Sequence, residues 1–116
     1  MFPSTLRRIE YAAFKYCGNL SNVQLPNKLE LLGEECFQQT KISMVCIPKT
    51  VRVIGKCAFY GCGSLKLVAF QEGSALKVVD AGAFANTQLR QEEVEFPSGA
   101  TVSTDAFEDL AVCSAK

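Results

Sequence analysis

Six cysteines and the absence of histidine limit the chemistry that this sequence could perform. Cys57 and Cys62 are spaced as C-x4-C, and together with Cys36 and Cys46 they supply enough thiol ligands for a zinc ion. Histidine, which completes many zinc sites, is not available as a partner ligand. The stronger interpretation is that these cysteines are small apolar residues, and we predict no metal and no cofactor.

Catalytic residue patterns are equally sparse. A cysteine nucleophile without histidine needs another nearby cation, and Lys56 beside Cys57 is a weak candidate. The chain has no G-x-S-x-G and no glycine-rich phosphate loop. The acidic pairs Glu34/Glu35 and Glu92/Glu93 are sequence neighbours at turns or inserts, where carboxylates are usually solvated. We predict a noncatalytic protein; a cysteine enzyme is the second class, and a strongly lowered thiol pKa would favour it.

The charge balance excludes some classes of partner. The 116 residues include twelve basic and twelve acidic side chains, so the net charge is zero and no field attracts nucleic acid or an anionic membrane. The opening MFPSTLRRIEYAAF lacks the continuous apolar segment of a signal peptide, and no apolar stretch approaches the ~20 residues of a membrane helix. We predict no nucleic-acid partner and no membrane insertion, and the sequence assigns no compartment.

Phenylalanine recurs at nearly regular intervals. The steps are 23, 22, 25 and 23 residues, between Phe14, Phe37, Phe59, Phe84 and Phe107. A small residue precedes each Phe, and Ile, Leu or Val lies five residues before it. A V-x-[LIF] signature follows four of them, at residues 23–25, 45–47, 68–70 and 94–96. Repetition with this period indicates a stack of similar units.

Each part of the unit has a physical interpretation. V-x-[LIF] alternates apolar and polar residues, as a half-buried strand does, and a following proline ends strand pairing because it has no N–H. The line L-x-x-[IL], sometimes closed by Gly33 or Gly55, predicts a second short extended segment followed by a turn. The small residue and Phe predict one or two helical turns. Stacking predicts that Phe37 and Phe59 lie deepest, because each has a unit on both sides.

The combined line L-x-x-[IV]-x-x-x-[AC]-F-x-x-[CT]-x-x-[LI]-x-x-V-x-[LI]-P resembles the BspA-like leucine-rich repeat over residues 2–107. The third unit departs from the line, since Gln71 stands where proline is expected. The resemblance implies a parallel solenoid used mainly for protein contacts, often on bacterial or protist cell surfaces. It carries no catalytic motif that could be transferred to this chain.

We therefore predict one right-handed α/β leucine-rich-repeat solenoid domain over residues 1–116, with one short parallel β-sheet of about four strands and short helical turns. The units cover about residues 6–28, 29–50, 51–75 and 76–98, with a partial unit at 99–116. The sequence begins at the end of a strand and stops before the strand of its last unit. This favours a segment of a longer repeat array; the alternative is that frayed end segments act as caps.

The repeat also assigns the cysteines. Cys17 and Cys62 share one repeated position and Cys36 takes the small position before Phe, so all three are predicted to be buried. Stacked units lie ~4.8 Å apart, which places Cys17 and Cys62, two units apart, ~10 Å from each other and beyond disulfide reach. Cys46 and Cys57 occupy outward positions and are the candidates for oxidation or intermolecular bonding.

Residues that flank the inward positions of the V-x-[LIF] strands point away from the core. They form two predicted rows across the units: Asn22, Met44, Leu67 and Glu93, and Gln24, Cys46, Ala69 and Glu95. The centre of these rows is apolar and the border is polar, which is a common construction of an interaction patch. We predict a protein-binding surface for another protein or a second copy of this chain; a neighbouring segment that covers it is the alternative.

Overall fold

The computed structural model describes residues 2–109 as a parallel β-solenoid of about four coils. Its elements are β1 (Arg8–Ile9), β2 (Leu31–Leu32), β3 (Met44–Ile47), β4 (Val53–Ile54), β5 (Leu67–Phe70), β6 (Val78–Val79), the 3-10 helix η1 (Gln91–Glu93) and β7 (Thr101–Val102). The two-residue strands form a parallel sheet in the order β1-β2-β4-β6-β7. β3 and β5 form a separate parallel pair. The prediction of one sheet with about four strands is therefore wrong in its layout.

The five-stranded sheet is built from the L-x-x-[IL] segments. Each contributes one inward residue and one outward residue, because side chains alternate along a strand. The inward residues are Ile9, Leu32, Ile54 and Val79, all buried, and the half-buried Val102. Consecutive coils pair in strict register, for example Leu32 with Ile54 and Ile54 with Val79. The sheet thus repeats once per coil and runs the length of the described stack.

The segment around each Phe is a series of tight turns, and the predicted helical turns and the α/β class are wrong. Ala12 and Tyr16 have φ values of 55° and 63°, in the left-handed region that interrupts a helix. The N–H groups of Ala12 and Phe14 bond the carbonyls of the next coil, at Glu34 and Cys36. Within residues 2–109, no helix is long and apolar enough to cross a membrane.

The core is a column of phenylalanine rings, one from each coil. The centroids of Phe14, Phe37 and Phe59 lie 5.4 and 5.5 Å apart with nearly parallel planes, and Phe84 continues the column at 5.5 Å. Phe37 and Phe59 have no solvent-exposed surface, as predicted, whereas Phe107 at the end of the column is half-buried. The rings and the inward aliphatic residues form one continuous apolar core.

Two glycines allow the coils to come this close. A Cβ at Gly33 would lie 2.5 Å from the Ile9 carbonyl oxygen, and one at Gly55 would lie 2.8 Å from the Glu34 nitrogen. Real Cβ atoms do not come so near to backbone atoms, so a side chain at either position would push neighbouring coils apart. The sequence interpretation assigned these glycines to a turn; the structure assigns them to the close contact between coils.

Replacing Phe59 by alanine should destabilise the fold by ~3 to 5 kcal/mol, because it removes a fully buried ring between two others. Phe107→Ala is the matched control and should cost less, since Phe107 is half-buried. Urea unfolding of the two variants and the wild type measures the difference. Equal losses for both variants would contradict the deeper burial of Phe59 in the ring column.

Candidate interaction surface

The outward face of β3 and β5 exposes apolar side chains. Along β3, Met44 and Cys46 are exposed while Val45 and Ile47 are buried. Met44 exposes 56% of its surface and Leu67, on β5, exposes 50%. The predicted facing of these strands is confirmed, because the alternation places one set of residues in the core and the other in solvent.

The register of β3 and β5 brings four predicted surface residues together. Met44 pairs with Leu67, and Cys46 pairs with Ala69. Each pair lies on neighbouring parallel strands, so the four side chains form one block of about two by two residues. We call this block, formed by Met44, Cys46, Leu67 and Ala69, the apolar patch.

Asn22 and Gln24 border the patch on the side of the first coil, and both are exposed. A groove of about 720 Å³ lies here, lined by both residues and by Met44 and Cys46, with Phe2, Phe14, Leu20, Val23 and Val45 in addition. Among the described residues, residues 22–25 make no backbone hydrogen bond to β3, although Lys41 N–H bonds the Leu20 carbonyl just before them at 2.9 Å. The first coil therefore separates from β3 and opens an apolar groove that the repeat pattern did not indicate.

Glu95 borders the patch on the opposite side. It is exposed, and the next residue, Phe96, packs on Phe70 with ring centroids 5.6 Å apart. This contact places Phe96 beside Phe70 on the neighbouring coil, and Glu95 lines a hollow with Phe70 and Gln71 at the end of β5. Glu93 is also exposed but ends η1, so it lies on a turn.

The outward row of the five-stranded sheet is a second, less exposed apolar surface. Leu31 and Val53 are half-buried, and Val78 exposes 38% of its surface. Sequence reasoning missed this row because a two-residue strand is too short to show alternation. The available signal was the apolar residue just before the inward position in three of the units, at Leu31, Val53 and Val78.

The cysteines differ from their predicted positions at two places. Cys17 is exposed, because within the described residues the first coil has a full coil on one side alone. Cys57 is buried, packs with Tyr60 and Ala85, and is disulfide-bonded. Its left-handed backbone, with φ of 59°, accompanies this inward placement. Cys57 is therefore neither an outward thiol nor the thiolate that Lys56 was considered to activate.

The buried thiols Cys36 and Cys62 are poor nucleophiles. Burial raises the pKa of Cys36 to about 12, and it also raises the pKa of Cys62. Cys62 Sγ lies 3.1 Å from the Phe37 carbonyl oxygen and 3.3 Å from Thr40 Oγ1. Both thiols stay protonated at neutral pH and serve as packing groups. Among residues 2–109, no cluster of three or more His, Cys, Asp or Glu side chains is placed to hold a metal ion.

Glu35 departs from the expectation that the Glu34/Glu35 pair is solvated. Glu34 is exposed, but Glu35 is buried and accepts a hydrogen bond of 2.7 Å from Lys15 Nζ. The side chains of Lys15 and Glu35 are 12% and 2% exposed. The ion pair joins two consecutive coils, so its role is structural.

Comparison with known proteins gives a family match and similarity to a solved structure. A family model described as a BspA type leucine rich repeat region matches residues 1–113, with six copies. A crystal structure of a leucine-rich repeat protein from Bacteroides ovatus is similar with a TM-score of 0.58 and 19% sequence identity, over 92% of this chain and 39% of that chain. At this identity the similarity establishes the fold alone, and this chain spans well under half of that protein. No curated protein matches the sequence.

We expect a thiol reagent at neutral pH to modify Cys17 and Cys46 in the native protein, because both are free and exposed. Cys36 and Cys62 should react after unfolding, because they are buried and protonated. Peptide mapping after labelling with and without urea identifies the modified residues. Rapid native labelling of Cys62 would contradict the packing described for its coil.

The raised pKa of Cys36 predicts a loss of stability at alkaline pH. The unfolded thiol ionises near its ordinary pKa of 9.0, whereas the folded thiol keeps its proton up to about pH 12. The unfolded state therefore binds fewer protons above pH 9, and the free energy of unfolding falls as pH rises from 9 towards 12. Urea midpoints should fall less steeply in Cys36→Ala than in the wild type, and Cys46→Ala is the exposed control. Identical slopes for Cys36→Ala and the wild type would refute this contribution.

Proposed function

Because this chain belongs to the BspA-type leucine-rich repeat family, we propose that it is a noncatalytic protein-interaction module that binds through the apolar patch. The observation that carries the proposal is the exposure of Met44 and Leu67 side by side on paired strands. A single exposed leucine is ordinary, but two exposed apolar side chains on paired strands form a patch, which is typical of a contact surface.

The composition of the surroundings supports a contact surface. Amides at Asn22 and Gln24 border one side, and the carboxylate at Glu95 borders the other. A contact that covers the centre removes apolar area from water. This favours association by ~25 cal/mol for each Å² buried, from which the entropic cost of association is subtracted. The polar border remains hydrated or forms hydrogen bonds, so the arrangement combines affinity at the centre with selectivity at the edge.

A second candidate function is a structural spacer within a longer repeat array, with no partner of its own. The observation that favours it is the length relationship with the Bacteroides ovatus protein, of which this chain covers 39%. A spacer requires the stacked core and the coil ends, but it gives the apolar patch no role. The two functions therefore differ in what happens when the patch alone is changed.

The double substitution Met44→Lys with Leu67→Glu tests the proposed function. Both residues are exposed, so we expect the stability to stay within about 0.5 kcal/mol of the wild type. Association with other proteins, and self-association, should be lost. Thermal melts measure stability; sedimentation and recovery of binding proteins on the immobilised chain, each repeated with the purified recovered protein, measure association.

Val78→Lys is the matched control, because it introduces a charge at an exposed apolar residue outside the patch. It should leave association unchanged. A large loss of stability in the double variant would place Met44 and Leu67 in the core. Unchanged stability together with unchanged association would favour the spacer.

A further inference from the structure

We infer that a second copy of this chain covers the apolar patch, in a two-fold dimer whose axis runs parallel to β3 and β5 and passes between them. The inference deepens the proposed function, on which it rests, by naming the partner. It follows from the order of side chains across the four coils. When a second copy presents the same coils in reverse order, each side chain faces one with which it can pair.

The row through Gln24, Cys46, Ala69 and Glu95 has an amide at one end, two small groups in the middle and a carboxylate at the other end. Three contacts fix this order. Gln24 and Cys46 line the same groove, Cys46 pairs with Ala69, and the Phe70 to Phe96 ring contact places the coil of Glu95 next to the coil of Ala69. All four residues are exposed.

A rotation of 180° about an axis along the strands reverses the order of the coils and preserves the strand direction. Gln24 then lies opposite Glu95 of the second copy, and Met44 lies opposite Leu67 of the second copy. The amide N–H groups can donate to the carboxylate, and the apolar side chains meet in the centre. Because the dimer is symmetric, each of these contacts occurs twice.

The groove beside Met44 adds to this complementarity. The same rotation brings Leu67 of the second copy over Met44, next to the mouth of the groove. The groove has a volume of about 720 Å³ and is lined by Phe2, Leu20 and Val23, among others. A leucine side chain that enters it contacts apolar groups that water otherwise covers, so the pair buries more than a flat face would.

The other two-fold arrangement has its axis along the solenoid and is disfavoured by charge. In that arrangement each coil faces the same coil of the second copy. The fourth coil, with exposed Glu93 and Glu95, then faces the fourth coil of the second copy, so carboxylates meet carboxylates at one end. Like charges placed opposite each other in an interface are strongly unfavourable. The order of side chains therefore selects one axis.

The size of the surface sets the expected strength. Four coils at ~4.8 Å and a strand of four residues at ~3.3 Å per residue give a face of roughly 250 Å². This is far below the ~800 Å² per partner of a stable complex, so we expect a weak, reversible dimer with a dissociation constant in the micromolar to millimolar range.

A matched pair of substitutions tests the axis. Gln24→Lys should lower the dissociation constant about 2- to 10-fold, because two exposed lysine to glutamate contacts form in each dimer. Gln24→Glu should raise it by a similar factor, because carboxylates then face Glu95 of the second copy. Sedimentation equilibrium of the purified chain measures both. Shifts in the same direction, or no shift in either variant, would overturn the proposed axis.

Cross-linking gives a second, geometric test. Gln24→Cys with Glu95→Cys, in a chain that also carries Cys17→Ser and Cys46→Ser, places two reactive thiols about three coils or ~14 Å apart in one molecule. A bismaleimide shorter than that distance should link 24 to 95 between molecules and yield covalent dimers. Covalent dimers of the single variants at the same level would contradict the arrangement.

The dimer and the proposed function can be refuted separately, because different measurements test them. A wild-type chain that stays monomeric at about 1 mM in sedimentation refutes the dimer. If a different purified protein then binds the wild type and not Met44→Lys with Leu67→Glu, the patch keeps its function with another partner. If neither association occurs, both proposals are wrong.

Discussion

The stacking of each coil on the next is the interaction on which the rest of the structure depends. Ring centroids in the phenylalanine column lie 5.4 to 5.6 Å apart, and backbone groups of consecutive coils bond both in the short strands and in the turns. This spacing leaves no room for a side chain at Gly33 or Gly55. It also explains why the residue before each Phe is alanine or cysteine, and why the thiols at Cys36 and Cys62 act as packing groups.

The apolar patch is a local result of the same stacking. Residues on β3 and β5 alternate between the core and solvent, and the stack places equivalent outward positions side by side. Where the coils carry different outward residues, the surface changes from amide to apolar to carboxylate along the solenoid. The groove lies where the described residues 22–25 make no backbone hydrogen bonds to β3, so the surface beside the patch is recessed on that side. The patch and the groove thus belong to a surface whose outward side chains change from one coil to the next.

The repeat period, the phenylalanine column and the facing of β3 and β5 could be predicted from the sequence, because each depends on regular spacing of apolar side chains. The local backbone could not. Strands of two residues carry no alternation, and the left-handed turn positions hold Ala12, Glu35 and Cys57, none of which indicates that conformation. Cys57 was placed outward for this reason. The loss of strand pairing at residues 22–25 depends on packing between coils, which a single unit of the repeat does not encode.

The turn ladder gives one edge of the solenoid an electrical polarity. In each turn, N–H groups point to the next coil and accepting carbonyls point to the previous one, as with Phe14 to Cys36, Phe37 to Ala58 and Phe59 to Ala83. These peptide dipoles add along the turn edge as they do in an α-helix, with the positive end at the last coil. Beside the short strands the direction is reversed, since the N–H groups of Gly33 and Gly55 bond carbonyls of the previous coil. Acidic Asp105, Glu108 and Asp109 lie in that coil. The carboxylates at the last-coil end of the turn edge thus have the sign that stabilises such a dipole, in a structure with no α-helix among its described residues.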